Sequence, residues 1–124
     1  MKYRLFHGTL LFAAAVLLVA QTPRHPPVLM ADDGAVIPAH RSVHRKNGEE
    51  VTWGRQTAGQ SSWYVRFAES PCREGAEFGS GHAARCTISV ACQNAGDAAC
   101  KSYPYSSSLS PTGPLHDPDI VVDR

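Results

Sequence analysis

The sequence has no surplus of charge of either sign. Its 124 residues carry 12 Lys or Arg against 11 Asp or Glu, a formal net charge of +1 at pH 7. Proteins that bind nucleic acid neutralise phosphates with a clear excess of basic side chains. The near-neutral balance therefore argues against nucleic acid as a partner.

The sequence also lacks the patterns of helices and of common catalytic sites. After the first 20 residues, no segment sustains the 3.6-residue apolar period of an amphipathic helix. No G-x-S-x-G nucleophile elbow is present, and the neighbours His116 and Asp117 do not orient one another as a catalytic triad requires. The run 79–84 (GSGHAA) matches a dinucleotide-binding fingerprint by letter only, because a β-alternating run follows it instead of a helix. We expect a protein that is not an enzyme.

A single long apolar run stands at the start of the chain. Lys2 and Arg4 precede the segment LLFAAAVLLVA, which ends at Ala20. This is the layout of a secretory signal peptide, and the run is shorter than the ~20 apolar residues of a transmembrane helix. We predict a signal peptide over 1–20 and a secreted or periplasmic protein with no stable membrane span after cleavage. Cleavage after Ala31 and an uncleaved membrane anchor are the alternatives.

All four cysteines follow this segment, at Cys72, Cys86, Cys92 and Cys100. An even number of cysteines in a small exported domain indicates two disulfides. The alternative is a zinc site in which the last three cysteines join His82. The gaps between the cysteines do not form the paired C-x-x-C knuckles that are typical of zinc sites.

The spacing of the cysteines restricts how they can pair. The run 85–92 (RCTISVAC) alternates as a strand does, which would separate Cys86 and Cys92 by about 20 Å. A disulfide needs Cα atoms within about 4.4–6.8 Å, so two of the three connectivities remain. We prefer Cys72 with Cys86 and Cys92 with Cys100, because the loop between the last two resembles a hairpin connection. Cys72 with Cys92 and Cys86 with Cys100 is the alternative.

The rest of the chain reads as short strands separated by Gly, Pro, Ser and Asn. We predict a Pro-rich leader or linker over 21–34 and one domain over 35–124. Asn47-Gly48 predicts a hairpin turn between strands at 42–46 and 50–54. Alternating or β-prone runs follow at 62–69, 85–92, 103–107 and 120–122. This pattern predicts an all-β fold, an antiparallel Greek-key β-sandwich.

Several of these runs resemble strands of cupredoxin-like domains, the plastocyanin-type β-sandwiches. The resemblance extends over about 36–123 and rests on four segments, which are 47–53 (NGEEVTW), 63–67 (WYVRF), 103–106 (YPYS) and 117–122 (DPDIVV). It implies a two-sheet sandwich and, in the copper-binding members, a type 1 site made of two histidines, a cysteine thiolate and usually a methionine.

The chain departs from the family at these ligands. No histidine follows Cys100 until His116, no methionine follows it at all, and the loop 54–62 contains no histidine. Cysteines held in disulfides cannot bind copper as thiolates. We therefore expect a cupredoxin-like scaffold without a blue-copper site and with no cofactor.

Two sets of side chains are weaker site candidates. His40, His44, His82 and His116 could bind zinc or copper loosely, and His82 could pair with Glu74 or Glu77 as an acid–base couple. The second set is aromatic, and its members could form an exposed binding patch if they share one sheet face. These residues are Tyr64, Tyr103 and Tyr105.

These observations favour an exported, non-catalytic binding or structural module with a protein or glycan partner. A small copper- or zinc-handling protein that uses the surface histidines is one alternative. The other is an envelope interaction domain that the apolar N-terminal segment anchors to the membrane.

Overall fold

The structure, a computed structural model, describes residues 25–124. The predicted signal peptide over 1–20 and its cleavage point at Ala20 lie outside the described residues.

Short alternating segments form nine strands and one 3-10 turn in the described part of the chain. The elements are β1 (Val28–Met30), β2 (Val36–Ile37), β3 (His40–His44), the 3-10 turn (Arg45–Asn47), β4 (Glu50–Arg55), β5 (Tyr64–Phe67), β6 (Glu77–Gly79), β7 (Arg85–Thr87), β8 (Ser102–Ser108) and β9 (Asp119–Asp123). One sheet has the order β2-β1-β4-β7, and the other has the order β3-β9-β8-β5-β6. Apolar residues from both sheets form one buried core. The prediction of an all-β, sandwich-like fold with two disulfides is confirmed.

The prediction of purely antiparallel sheets is wrong, because each sheet contains one parallel pair. β1 runs parallel to β4, with Val28 opposite Trp53, and β3 runs parallel to β9, with Val43 opposite Val122. The pairs β1–β2, β4–β7, β5–β6, β5–β8 and β8–β9 are antiparallel. Parallel neighbours cannot be joined by a short hairpin, so loops and other strands separate them along the chain.

The segment predicted as a linker contributes a strand to the domain. Val28 and Met30 are fully buried, while Leu29 between them faces outward. The prolines that suggested a linker end at Pro27, immediately before the strand begins, where proline is tolerated. In its described part, the region 21–34 is therefore part of the domain.

Asn47-Gly48 does not form the predicted hairpin. β3 and β4 lie in different sheets, and the 3-10 turn joins them. Gly48 ends this turn with a φ of 64°, a left-handed conformation in which its N–H donates to the Arg45 carbonyl. Gly48 thus adopts the left-handed conformation that Asn-Gly predicts. The turn, however, connects strands of two different sheets instead of two neighbouring strands of one hairpin.

The predicted strand 85–92 ends early, at Thr87. Ile88 then pairs with Cys72 in an isolated bridge, and the Ser89 N–H donates to the Pro71 carbonyl. Cys86, Ile88 and Cys92 are nevertheless buried, as the alternation predicts. The two disulfides are Cys72–Cys86, with Cα atoms 5.0 Å apart, and Cys92–Cys100, with Cα atoms 4.9 Å apart. This is the pairing that we prefer from the sequence.

The core is organised around Trp53 of β4. Its ring lies against aromatic rings from the opposite sheet and from the segment before β5, with centroid distances of 5.3–6.5 Å. These neighbours are Trp63, Phe67, Phe78 and Tyr105. Tilted and edge-on arrangements at such distances are favourable for aromatic pairs. The indole N–H also donates to the Tyr105 hydroxyl at 3.2 Å, so the contact that joins the two sheets includes a buried hydrogen bond.

We predict that the two disulfides contribute unequally to stability. Cys72–Cys86 spans 14 residues and Cys92–Cys100 spans 8, so the first restricts the unfolded chain more, within a usual range of about 2–4 kcal/mol each. Replacing Cys72 and Cys86 by Ala should lower the free energy of unfolding more than replacing Cys92 and Cys100. Urea unfolding of both double variants measures this difference, and the reverse order would contradict the prediction.

We predict that Gly79→Ala destabilises the domain by at least about 2 kcal/mol, the cost of a side chain in a disfavoured conformation that also meets backbone. Gly79 has a φ of 123°, and an added Cβ would lie 2.1 Å from the Trp63 carbonyl oxygen. Gly96→Ala is the matched control, because no atom lies within 4 Å of its added Cβ. Thermal unfolding that shifts equally for both variants would contradict the prediction.

Candidate functional site

The three tyrosines predicted as a possible binding patch are part of the interior. The exposed fractions of Tyr64, Tyr103 and Tyr105 are 8%, 1% and 3%. Tyr64 donates to Glu77 at 3.0 Å, and Tyr103 donates to the Ala99 carbonyl at 2.8 Å. Burial raises the pKa of Tyr105 to about 12, although its hydrogen bond with Trp53 opposes the shift. The exposed aromatic patch is therefore absent, and these hydroxyls stabilise the fold instead.

The candidate histidines do not come together. His40 and His44 share the outer face of β3, but four residues of strand separate them by about 13 Å. Ligands of one zinc ion each lie about 2.0–2.1 Å from it, so these two cannot bind the same ion. His116 contacts the Asp33 carbonyl at 2.9 Å, and His82 lies 3.5 Å from Glu77. Among residues 25–124, no three His, Cys, Asp or Glu side chains form a possible metal site.

One Ser, one Asp and one His do meet on the outer face of the larger sheet. The Asp119 carboxylate accepts from Ser102 Oγ at 2.5 Å and contacts His40 Nδ1 at 2.6 Å. In a catalytic triad the histidine lies between the other two residues and takes the serine proton. Here the aspartate is in the middle, so His40 cannot activate Ser102. Because β3, β8 and β9 are distant in sequence, this cluster was not predicted.

The predicted acid–base couple at His82 is only partly formed. Glu74 accepts from the N–H and hydroxyl of Thr87 and is not beside His82. Glu77 lies between His82 and Tyr64. Burial raises the pKa of Tyr64, and the hydrogen bond to Glu77 adds to this shift. These contacts hold the turn after β6 against β5, which is a structural role.

A shallow groove of about 460 Å³ opens where β3 and β9 end. We call it the end groove. Three separate segments line it, and the lining residues are His44, Lys46, Asn47, Ala95, Cys100, Asp123 and Arg124. The parallel pairing of β3 with β9 places His44 opposite Asp123, and the Cys92–Cys100 disulfide holds the third segment nearby. The groove was not predictable from the sequence, because its walls are far apart along the chain.

The end groove presents charged side chains without internal partners. Within residues 25–124, the side chains of Lys46, Asp123 and Arg124 take part in none of the ion pairs. By contrast, Lys101 pairs with Glu69 and Arg55 pairs with Asp32 elsewhere on the surface. Two cations and one anion therefore face a small concave surface, where a ligand can reach them.

Glu49 fixes the turn that forms one wall of the groove. Its carboxylate contacts the His25 ring, and it accepts from the His44 N–H at 2.8 Å and from the Asn47 amide at 3.5 Å. Burial alone would raise the pKa of Glu49, but the hydrogen bonds from His44 and His25 outweigh it and the pKa is lowered. The ionised carboxylate is thus the form that holds the turn.

Comparison with known protein families, curated proteins and solved structures finds no match for this chain. Within residues 25–124, no helix has the length and apolar character needed to cross a membrane. All four cysteines are oxidised, which suggests an oxidising, extracellular-type environment.

We predict that Glu49→Gln lowers the free energy of unfolding by about 1.5–3 kcal/mol at pH 7, the range for a hydrogen bond to a charged group. The pKa of Glu49 is lowered from 4.5 in the folded protein, so its stabilisation is complete at neutral pH. It is lost as the pH falls below about 4.5 and through the folded pKa. Urea unfolding measures the free energy of unfolding of Glu49→Gln and of the unaltered protein at pH 7 and at pH 3. The difference between the two proteins should be smaller at pH 3.

Glu69→Gln is the control for this prediction, because Glu69 is exposed and Lys101 is its one ion-pair partner among residues 25–124. Its removal should change stability by less than about 0.5 kcal/mol. An equal effect of both variants at pH 7, or a Glu49→Gln effect that persists unchanged at pH 3, would contradict the assignment.

Proposed function

We propose that this chain is an exported, non-catalytic binding module that contacts an acidic segment of a partner protein through the end groove. The observation that carries the proposal is the set of charged groove side chains that have no partner within residues 25–124. Lys46 and Arg124 provide two cationic side chains against one anionic side chain, Asp123, and this excess among the side chains favours a carboxylate ligand.

Export is supported by the apolar N-terminal segment and by the oxidised cysteines. The scaffold is proposed to be cupredoxin-like, on the strength of the four resembling segments and of a sandwich-like pair of sheets. It would lack a type 1 copper site, since both disulfides remove the cysteine thiolates that such a site uses.

A binding role fits the polar clusters better than a catalytic one. The cluster of His40, Asp119 and Ser102 has the aspartate in the central position, which leaves the serine hydroxyl bonded to a carboxylate. Glu77 is shared between Tyr64 and His82 on the surface of an edge strand. In both clusters the polar groups bond to one another and hold neighbouring segments together.

The character of the groove favours a protein partner over a glycan. No Trp, Tyr or Phe side chain lines the end groove, so the groove offers none of the large aromatic rings on which a sugar could stack. The groove instead supplies charged groups at a polar, solvent-open surface. Charged contacts of this kind contribute more to specificity and to the rate of association than to affinity. Salt screens them and weakens the binding.

We predict that the protein binds a hexaglutamate peptide, which serves as the probe for an acidic segment, more tightly than a hexalysine peptide. Fluorescence anisotropy with labelled peptides at low and high salt measures both affinities. Lys46→Glu should weaken hexaglutamate binding at least about tenfold, because it replaces attraction by repulsion at the groove.

Arg66→Glu is the matched control, since Arg66 is an exposed cation on β5 that does not line the groove. This variant makes the same change in net charge and should leave the affinity within about twofold. An equal loss of hexaglutamate affinity in both variants would show that the peptide responds only to the net charge of the protein. That result, or no preference between the two peptides, would overturn the proposal.

A further inference from the structure

The two disulfides differ in how far solvent reaches them. Cys72 and Cys86 have exposed fractions of 8% and 0%, so the bridge between them is buried at both ends. In the second bridge, Cys92 is 1% exposed, but Cys100 is partly exposed and lines the end groove. Cys100 therefore brings one end of this disulfide to the surface of the groove, whereas the Cys92 end is enclosed.

Access to one sulfur matters because thiol–disulfide exchange begins when a thiolate attacks a disulfide sulfur. A small thiolate that enters the end groove meets Cys100, whereas the domain interior covers Cys92. The groove also contains Lys46 and Arg124, whose positive charges attract an anion, and Asp123, whose negative charge opposes it. The electrostatic balance favours the approach of a thiolate to Cys100.

We propose that Cys92–Cys100 is an exchangeable disulfide, attacked at Cys100 by small anionic thiols, while Cys72–Cys86 is a structural one. This inference goes beyond the proposed binding function and does not depend on it. In the first step the thiolate forms a bond to Cys100 Sγ, and the Cys92–Cys100 bond breaks to leave Cys92 as a thiolate that takes up a proton. A second thiolate then attacks the sulfur of the small thiol in the mixed disulfide, the bond to Cys100 Sγ breaks, and Cys100 leaves as a thiolate that takes up a proton. The net result is two thiols oxidised to their disulfide and two protein cysteines reduced.

The surroundings accommodate the reduced pair. Cys92 Sγ lies 4.0 Å from the Val122 carbonyl oxygen, which can accept a weak hydrogen bond from the buried thiol. Asp97 accepts from the N–H groups of Gln93 and Asn94 at 2.8 and 2.9 Å, so the loop keeps two non-covalent contacts after the bridge opens. Ala95 and Cys100 belong to the groove wall, so reduction loosens the wall while the core keeps its own disulfide.

The test is the rate at which each disulfide is reduced in the folded protein. The purified protein is treated with 3-mercaptopropionate, 2-mercaptoethanol or cysteamine, which carry negative, no and positive charge beside the thiol. Quenching by alkylation and peptide mapping by mass spectrometry gives the fraction of each bridge that has opened. We expect Cys92–Cys100 to open at least about tenfold faster than Cys72–Cys86, because one of its sulfurs is accessible. The anionic thiol, compared at equal thiolate concentration, should be the fastest.

Charge variants at the groove test the electrostatic part. With the anionic thiol, Lys46→Ala should slow opening by about threefold and Asp123→Asn should speed it by a similar factor, as expected when one unit charge is removed from the groove that the thiolate enters from water. Arg66→Ala is the control with the same loss of charge outside the groove, and its rate should match that of the unaltered protein. Circular dichroism before reduction verifies that each variant is folded.

Three results would overturn the proposal. Equal opening rates for the two disulfides would show that reduction requires unfolding of the whole domain. A mixed disulfide found on Cys92 instead of Cys100 would show that the thiol attacks Cys92, which contradicts the proposed site of attack. If Lys46→Ala, Arg66→Ala and the unaltered protein all react with the three thiols at the same relative rates, the groove charges do not influence the reaction.

Discussion

The contact of Trp53 with the opposite sheet is the interaction on which the rest of this structure depends. Trp53 belongs to the four-stranded sheet, whereas Phe67, Phe78 and Tyr105 belong to the five-stranded one. A domain of this size buries a modest core, so one large cluster accounts for much of the apolar area shared by the sheets. The bond from the indole N–H to Tyr105 also fixes how the two sheets are oriented.

The end groove follows from the way the chain crosses between these sheets. After β3 the chain makes one 3-10 turn, and Gly48 redirects it into β4. This crossing leaves Lys46 and Asn47 at the end of the sandwich, where β9 also ends. The Cys92–Cys100 bridge adds the remaining wall. The groove wall therefore consists of a turn, a strand end and a disulfide loop, and none of the aromatic core residues around Trp53 lines it.

The sequence predicted those features that depend on neighbouring residues. In runs that alternate as strands do, every second residue is expected to face the core, and Val51, Trp53, Val65 and Phe67 are all buried. Local spacing left two disulfide pairings open, and the observed one is the pairing preferred because of the hairpin-like loop before Cys100. By contrast, β1 has only three residues after two prolines, too few to display a period, and its pairing with β4 depends on distant residues. Tyr64 alternates with Val65, which favours an exposed position on the outer face of β5, yet it is buried because His82 of the turn after β6 lies against its ring.

The candidate site was less predictable for the same physical reason. Polar residues identify a site only when the fold brings them together, and the groove draws on three separate segments around 44–47, 95–100 and 123–124. The histidines were candidates because imidazole binds metal ions. In the structure, however, His40 and His44 are four residues apart along an extended strand, and His40 contacts Asp119. Nothing local in the sequence distinguished Lys46 from the other basic residues.

The central claim is that the end groove is the surface through which this domain meets its partner. Backbone amide shifts in a two-dimensional NMR titration with hexaglutamate test it most directly, because they report where the ligand sits. We expect the largest shifts at Lys46, Asn47, Ala95 and Asp123, which line the groove. Shifts concentrated around Arg66 and Ser106 on the outer sheet face, with the groove amides unmoved, would contradict it.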